Sequence, residues 1–271
     1  MAHGARRTAE RSEGRRPSGS FPAAWLDLRE PADHAARDPG LRRAAASLVG
    51  TGGLIVDLGC GTGSTMRALQ PCLGASVRWR LVDHDAAMLR ESGRRTAAET
   101  VLCDLSDREP PIEGAALVTA SALLDLVSEA WVVRLADALT ARRAPFYAAL
   151  SYDGRLSFDP AHPGDKAMIA ALNAHQRTDK GFGPALGPDG AGALAAALRA
   201  RGFEVRVEAS PWRLGPDDAA LVAALLPGIA EVASGWGGVA KAGVEDWLAF
   251  RQARAADGRC LVGHVDLLAT L

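Results

Sequence analysis

Short apolar runs alternate with amphipathic stretches along most of the chain. The apolar runs are rich in β-branched residues, which is typical of buried strands. In chain order they are GLIVDLG, VRWRLVD, TVLCD, ALVTAS, PFYAALS, GFEVRVEAS and CLVGHVDLLATL. Helical patterns such as STMRALQ, AAMLRESGRR and EAWVVRLADALTA separate most of them. Because a parallel crossover needs a long connection, the alternation predicts a seven-stranded, Rossmann-like α/β fold with a mostly parallel, doubly wound sheet.

Two segments interrupt this alternation, and a third precedes it. Residues 1–20 are rich in Arg, Gly and Ser, and we expect a disordered tail because they offer little apolar surface to bury. Residues 21–50 have a helical pattern with a break at DPG, which predicts one or two helices ahead of the main domain. Within the main domain, 51–271, we distinguish a cofactor half (51–151), an irregular insert (152–189) and C-terminal strands and helices (190–271). An insert of this length is more often functional than decorative.

The composition narrows the class of protein. The chain has 271 residues, 48% hydrophobic and 23% charged, with a net charge of −1, which gives no overall attraction to nucleic acid or to an anionic membrane. Its four cysteines lack the paired spacing of a zinc site or a disulfide framework, so we expect buried free thiols in the cytoplasm. We find no secretory signal, and we expect no apolar run of the roughly 18 residues that a membrane helix needs.

A glycine-rich loop follows the first apolar run, in the stretch LIVDLGCGTGSTMRAL. Asp57 ends the run, and Gly59, Gly61 and Gly63 come next at alternate positions. Ligands of open α/β sheets bind at the carboxyl ends of the strands, where glycine lets the backbone come close to them. A dinucleotide fingerprint, G-x-G-x-x-G, would have its last glycine at the position of Ser64. A carboxylate at Asp57 also suits a cationic amino group better than a pyrophosphate.

Together with LVDHDAAML and VLCD, the stretch VDLGCGTG resembles the class I S-adenosylmethionine-dependent methyltransferases, strongly over about 54–151. The resemblance implies S-adenosylmethionine as cofactor, S-adenosylhomocysteine as product, and no metal. It places the glycine loop under the methionine part of the cofactor, with Asp57 near its amino group directly or through water. It assigns both ribose hydroxyls to Asp83 and the adenine amino group to Asp104. The implied cofactor-binding set is Asp57, Gly59, Cys60, Gly61, Gly63, Asp83, His84, Asp104, Leu105 and Ser121, with no chemistry assigned to the Cys60 thiol.

The spacing of the carboxylates agrees with these roles, although each has a simpler alternative. Asp83 lies 20 residues after Gly63, where a ribose lies in this topology, and Asp104 lies 21 residues after Asp83. Asp83 would also serve as a helix N-cap, for which Asp85 is the better candidate. Asp104 would also fit a turn.

Methyl transfer requires a nucleophile close to the methyl group and, for some acceptors, a base. His175 in the insert and Asp125 after the fourth run are our catalytic candidates, against the alternatives of a solvated loop residue and a helix cap. Arg177 and Lys180 would bind a carboxylate or phosphate of the acceptor. The full set of substrate-binding candidates is Trp25, Arg29, His34, Tyr152, Arg177 and Lys180. In related methyltransferases, amino-terminal helices fold over the cofactor as a lid, which is the role the resemblance implies for 21–50.

The sequence thus predicts a methyltransferase that modifies an oxygen or nitrogen atom of a small polar metabolite, for which Arg177 and Lys180 favour an anionic group. The fourth run is followed by ASAL and lacks the Asn/Asp-Pro-Pro-aromatic tetrad of some nucleic-acid and protein methylases, so nucleic acid is a disfavoured partner. Modification of RNA or protein through the basic tail, and non-catalytic cofactor binding, stay open as alternatives. The helical stretches over about 217–256 would serve equally as a cover for the sheet or as a homodimer face.

Overall fold

The computed structural model describes residues 22–74 and 76–271, so the predicted tail lies outside the described residues. A sheet of eight strands runs through the centre of the molecule. The strands are β1 (Leu54–Leu58), β2 (Arg78–Asp83), β3 (Glu99–Leu102), β4 (Ala115–Ser121), β5 (Phe146–Asp159), β6 (Glu204–Ala209), β7 (Trp212–Leu214) and β8 (Arg259–Thr270). Seven of them correspond to the predicted runs. The additional strand, β7, has three residues, too few to give an alternating pattern.

The strand order is β3-β2-β1-β4-β5-β8-β6, and β7 pairs with β8. The first five strands are parallel to one another, whereas β8 runs antiparallel to β5, β6 and β7. The order reverses between β1 and β4, which opens a crevice beyond their carboxyl ends. The register places Asp57 beside Thr119 of β4 and Asp83 beside Leu102 of β3. The predicted Rossmann-like, mostly parallel fold is confirmed.

Nine α-helices occur in the described part of the chain. They are α1 (Ala23–Ala36), α2 (Pro39–Ser47), α3 (Ser64–Leu69), α4 (Ala86–Arg95), α5 (Glu129–Arg142), α6 (Asp165–Gln176), α7 (Gly190–Arg199), α8 (Ala219–Trp236) and α9 (Lys241–Ala253). Side-chain caps fix three of their starts. Asp38 caps α2, Asp85 caps α4 and Ser128 caps α5, each by accepting a hydrogen bond from a backbone N–H of the first turn.

The apolar side chains form three clusters. One lies between the sheet and the helices α5 and α7, and a second lies on the opposite face with α2, α3 and α4. The third gathers side chains of α1, α6, α8 and α9 around the extended ends of β5 and β8, with Trp247 fully buried in it. Fully burying a Leu, Ile or Met side chain contributes roughly 1.5–3 kcal/mol. The buried side chains of the third cluster therefore stabilise the packing of α1 and α6 against the sheet.

The insert is more regular than predicted. Strand β5 continues to Asp159 because β8 pairs with it along its length, with Tyr152 opposite His264 and Asp159 opposite Arg259. A 12-residue helix, α6, follows. Irregular backbone is therefore concentrated in the loop 177–186 between α6 and the turn before α7.

Helix α8 corrects another expectation. Together with the turn before it, the segment Pro216–Trp236 has 21 residues and a hydropathy of 1.5, so it is long and apolar enough to cross a membrane by length and composition. The expectation that no such run exists was therefore wrong. Part of this helix belongs to the third apolar cluster, with Leu221, Leu226 and Ile229 buried. A core helix passes the same test of length and composition, so the segment is weak evidence for a membrane span.

Candidate cofactor and acceptor site

A cavity of about 310 Å³ lies at the carboxyl ends of β1 to β4, where the strand order reverses. Its volume is at the lower end of the range of ligand pockets, about 300–1,000 Å³. Half of the predicted site residues line it, namely Arg29, Gly59, Gly61, Asp83, His84, Asp104, Leu105, Ser121 and Lys180. Helix α1 and the loop 177–186 close it from the two sides not occupied by strand ends.

The glycine loop gives the cavity its floor. Gly59, Gly61 and Gly63 have φ values of +67°, +53° and +86°, which side chains rarely tolerate. Gly59 and Gly61 line the cavity, whereas Gly63 is the N-cap of α3 and does not line it. Cys60 is buried between them, and its N–H donates to a carbonyl oxygen of β2 (3.0 Å). Burial raises the pKa of its thiol. Cys60 and Gly63 therefore maintain the shape of the loop, and the other two glycines face the cavity.

The carboxylate of Asp83 is fixed at the end of β2. Its Oδ2 accepts from the N–H of Gly61 and its Oδ1 from the N–H of Asp85, each at 2.9 Å. Oδ2 keeps a further lone pair, so it can still accept from a ligand hydroxyl. His84 lies with Nδ1 3.3 Å from Asp83 Oδ1, and this hydrogen bond raises the pKa of the imidazole. Capping of α4 falls to Asp85, so Asp83 is not needed as the cap and faces the cavity.

Asp104 and Leu105 form the wall at the end of β3. Asp104 is exposed, and its Oδ1 accepts from the N–H of Ser106 (2.9 Å), which lowers the pKa of the carboxyl. The side chain of Ser106 also hydrogen-bonds this carboxylate, so Ser106 holds Asp104 in the turn beside the cavity. The carbonyl of buried Leu105 accepts from the indole of Trp131 (2.8 Å). Phe182 of the insert lines the same wall and meets Trp131 edge-to-face, with ring centres 5.8 Å apart.

Asp57 does not line the cavity. It is fully buried one layer below, where its Oδ1 accepts from the hydroxyl of Thr119 (2.8 Å). Burial raises its pKa to about 7. The hydroxyls of Thr65 and Ser121, 2.9 Å apart, lie between this carboxyl and the cavity. Thr65 and Ser121 therefore connect Asp57 to the cavity by hydrogen bonds.

Arg37 is a buried cation behind Ser121 that sequence reasoning missed. Only 3% of its surface is exposed, and its Nη2 donates to Ser121 Oγ (3.1 Å). Burial raises the pKa of two carboxyls, Asp57 and Asp266, and the positive charge of Arg37 opposes this rise. Asp266 also accepts from the hydroxyl of Tyr147 (3.1 Å). Since a guanidinium only donates, Ser121 accepts on that side, and its own proton is left for Thr65 or for a ligand.

Lys180, not His175, is the group of the insert that reaches the cavity. Its ammonium donates to His175 Nδ1 (3.2 Å) and to the hydroxyl of Thr178 (3.0 Å). His175 lies behind it and also meets the ring of Trp236 edge-on. Burial and the neighbouring Lys180 lower the pKa of the imidazole. The structure therefore separates the predicted base from the cavity, because α6 ends at Gln176 and the following turn brings Lys180 inward.

Asp125 and Tyr152 also lie outside the cavity wall. Asp125 is buried, which raises its pKa to about 6, while the charges of Arg29 and Lys180 lower it. Its Oδ1 has no hydrogen-bond partner among the described residues. The hydroxyl of Tyr152 donates to Asn173 of α6 (2.8 Å), which directs this side chain toward the helix. Neither predicted role, catalysis by Asp125 or substrate contact by Tyr152, has direct access to the cavity.

Arg177 points away from the site. It is the C-cap of α6, and its guanidinium donates to Asp189 (2.6 Å) and to the carbonyl of Leu186 (3.0 Å). About half of its side chain is exposed. The predicted pair of cations is thus divided, with Lys180 facing the cavity and Arg177 facing solvent.

Helix α1 contributes one of its three candidates to the cavity. Arg29 lines it and is held by Asp33 at 2.8 and 3.1 Å, with its guanidinium 5.0 Å from the ring centre of Trp212. Trp25 packs into the third apolar cluster, so it anchors the helix. His34 lies 3.1 Å from the hydroxyl of the first residue of α3, outside the cavity.

Three contacts tie α1 down onto the cofactor half. Glu30 receives a hydrogen bond from Arg67 of α3 (2.6 Å), and Asp27 pairs with Arg95 of α4 (3.0 Å for one of two bonds). The side chain of Leu26 lies over Gly61, only 3.0 Å from where a Cβ on that glycine would stand. Helix α1 therefore covers the glycine loop.

Solved structures supply the comparison for this fold. The chain is similar to the cyclopropane synthase MmaA2 from Mycobacterium tuberculosis, with a TM-score of 0.52 and 10% identity over 93% of this chain and 95% of that one. It is also similar to a cyclopropane-fatty-acyl-phospholipid synthase-like protein from Lactobacillus casei, with a TM-score of 0.50 and 15% identity over the same shares. No family model matches the sequence, and no curated protein matches it either. At such identities the similarity shows the fold alone, a Rossmann-like α/β fold with a mostly parallel sheet, as the alternation of strands and helices predicted.

Proposed function

We propose that the protein is a cytoplasmic methyltransferase that transfers a methyl group from S-adenosylmethionine to an oxygen or nitrogen atom of a small polar metabolite. One observation carries the proposal. The glycine loop after β1, Asp83 after β2 and Asp104 after β3 line a single cavity in the order of three adjacent strands. That order matches the methionine, ribose and adenine parts of the cofactor.

The residues of the cavity would divide the work of binding as follows. Backbone at Gly59 and Gly61 lies against the methionine part, and Asp83 accepts from both ribose hydroxyls. Asp104 accepts from the adenine amino group, and Phe182 covers this end. When bound, the cofactor supplies an electrophilic methyl group on a positively charged sulfur. The leaving sulfur is neutral after the transfer, so the chain needs no acid and its main contribution is to hold the acceptor in line.

Calorimetric titration with S-adenosylhomocysteine tests the proposal, with NADH as the control ligand. We expect micromolar binding of the former and none of the latter. Asp83→Ala should weaken S-adenosylhomocysteine binding by more than about tenfold, because a carboxylate that accepts two hydroxyl hydrogen bonds is lost. Asp107→Ala removes an exposed carboxylate outside the cavity and should change nothing. Wild-type affinity in Asp83→Ala, or binding of NADH alone, would contradict the assignment.

A cofactor-binding protein without turnover is the second candidate. The observation that favours it is the placement of His175 and Asp125, neither of which lines the cavity. Incubation with methyl-labelled S-adenosylmethionine and a metabolite extract separates the two candidates. A transferase labels a small molecule, whereas a binding protein retains the cofactor and labels nothing.

A further inference from the structure

The polar side chains of the cavity are sorted by charge along its length. The carboxylates Asp83 and Asp104 and the imidazole of His84 stand at the ends of β2 and β3, where ribose and adenine would lie. The opposite end, beyond β1 and β4, is lined by Lys180 and by Arg29, whose charge is paired with Asp33 of the same helix. Within the described part of the chain, no carboxylate or imidazole lines that end. The remaining walls there are apolar, contributed by Leu26, Ala122, Leu123 and Leu126.

The two nearest titratable groups are not accessible to an acceptor. A ring nitrogen of His175 accepts from the ammonium of Lys180, which stands between the imidazole and the cavity. Asp125 is 8% exposed, and its charge interacts with Arg29 and Lys180. A neutral alcohol would thus find no base. A protonated amine acceptor would place a third positive charge beside Lys180 and the sulfonium of the cofactor. The repulsion between these like charges costs free energy.

Resting on the proposed function, we infer that the acceptor is a carboxylic acid with an apolar stem and that the product is its methyl ester. One oxygen of the carboxylate attacks the methyl carbon, so the O–CH₃ bond forms as the C–S bond breaks. The electron pair of the C–S bond goes to sulfur, and S-adenosylhomocysteine leaves neutral. No proton is transferred, and the charges of the sulfonium and the carboxylate cancel.

Lys180 is arranged to hold such a carboxylate. Two of the three N–H groups of its ammonium are directed to His175 and Thr178, which leaves the third for the cavity. Burial lowers the pKa of the Lys180 ammonium, and the negative charge of Asp125 opposes this shift. The ammonium is therefore a fixed donor, and the apolar walls beside it suit the carbon stem of the acid. His175 and Thr178 act as positioning residues.

The test uses the alkali lability of methyl esters. The full-length protein is incubated with S-adenosylmethionine carrying a tritiated methyl group and a cellular metabolite extract, and the products are then treated with mild alkali. We expect most of the transferred label to be released as volatile methanol. We also expect no tenfold rise in rate per pH unit between about pH 7 and pH 9, where a carboxylic acid acceptor is already ionised and Asp125, with a pKa of about 6, is ionised as well. Label in an alkali-stable product, or a tenfold rise in rate per pH unit, overturns the inference.

Two lysine variants separate an acceptor role from a structural one. Lys180→Met should lower ester formation about 30-fold through the loss of a charge-assisted hydrogen bond, with S-adenosylhomocysteine affinity within about twofold of wild type. Lys180→Arg should recover part of the loss. Lys166→Met, at an exposed position on α6, is the matched control and should behave as wild type. If Lys180→Met weakens S-adenosylhomocysteine equally, Lys180 serves the cofactor and the inference fails.

The outcomes distinguish this inference from the proposed function. Absence of S-adenosylhomocysteine binding to the wild-type protein defeats the proposed function itself. Binding with transfer to an alkali-stable product keeps the proposed function and defeats only the carboxylate acceptor. Binding without any transfer defeats both the transferase activity and the ester product.

Discussion

The two ends of the cavity are built in different ways. At the ribose and adenine end, Asp83 and Asp104 extend directly from the ends of β2 and β3, and backbone N–H groups hold one or both carboxylate oxygens. At the acceptor end, Arg29 comes from α1 and Lys180 from a loop, and other side chains hold both. Parallel pairing therefore fixes the first end, whereas packing between separate elements fixes the second.

This difference tells where variation is tolerated. A carboxylate at a strand end keeps its position as long as the sheet forms, because the register of β1, β2 and β3 determines it. The position of Lys180 depends on where α6 ends and how the loop 177–186 turns. Proteins of one fold differ in function through their sites, and here the part of the site that the sheet does not determine is the proposed acceptor end.

The largest effect is expected from Gly61→Val at the floor of the cavity. Gly61 has φ +53°, and a Cβ there would stand 3.0 Å from Leu26, so valine strains the backbone and displaces α1. We expect at least about a 50-fold loss of S-adenosylhomocysteine affinity by calorimetry. Gly74→Val is the control, since nothing lies within 4 Å of that position and its φ is ordinary. Equal affinities of the two variants for S-adenosylhomocysteine would show that the glycine loop does not take part in binding.

Asp57→Asn tests whether Asp57 is a buried group below the cavity, whose main effect is on stability. Burial gives Asp57 a folded-state pKa of about 7 against an ordinary value of 3.8, so the folded protein keeps a proton that the unfolded chain loses. Wild-type stability therefore falls as pH rises from about 4 to 7, and asparagine escapes this fall. From pH 5 to pH 8, the unfolding free energy of the variant should gain on wild type by on the order of 2 kcal/mol. Urea denaturation at both pH values measures it, and a difference independent of pH would refute the account.

Glu30→Gln tests how firmly α1 is held. The carboxylate of Glu30 is paired with Arg67 of α3, and both side chains are partly buried. Losing this charge-assisted pair should raise the dissociation rate of S-adenosylhomocysteine about fivefold, corresponding to about 1 kcal/mol. Glu245→Gln, in an exposed helical pair with Lys241, is the control in the same stopped-flow measurement. An unchanged rate would mean that α1 does not limit release.

Arg177→Ala should have the smallest effect. The side chain faces solvent and pairs with Asp189, and surface pairs contribute little. We expect less than a twofold change in S-adenosylhomocysteine affinity and in the apparent KM for the acceptor. A fivefold or greater loss in either quantity would place Arg177 in the site and cancel the contrast with Lys180.

The cofactor end could be derived from the sequence because its signals are local. Buried parallel strands read as continuous apolar runs, and the residue after each run lies at the sheet edge where ligands bind. This logic located Asp83 and Asp104 by their positions in the chain. It placed Asp57 at the same edge but could not show that Thr65 and Ser121 separate it from the cavity. That separation depends on side-chain packing between β1, β4 and α3.

The acceptor end could not be derived because its signals are not local. His175 and Lys180 are five residues apart, yet the end of α6 between them decides which one faces the cavity. Arg37 looks like a surface arginine before a DPG turn, and only the fold reveals that it is buried between two carboxyls. The apolar composition of α8 was likewise underestimated, because Pro227 and Glu231 interrupt it.

Asp266 joins parts of the molecule that are far apart in the chain. This buried carboxylate of β8 accepts from the N–H of Asp38, the hydroxyl of Tyr147 and the N–H of Leu150. The junction of α1 and α2 thus obtains its partner from a residue 228 positions later in the chain, and only once β8 is in place. Until then β5 and β6 also lack the strand that lies between them, and both present open edges. The position of the helices beside the glycine loop is therefore coupled to the completion of the sheet at its opposite, antiparallel side.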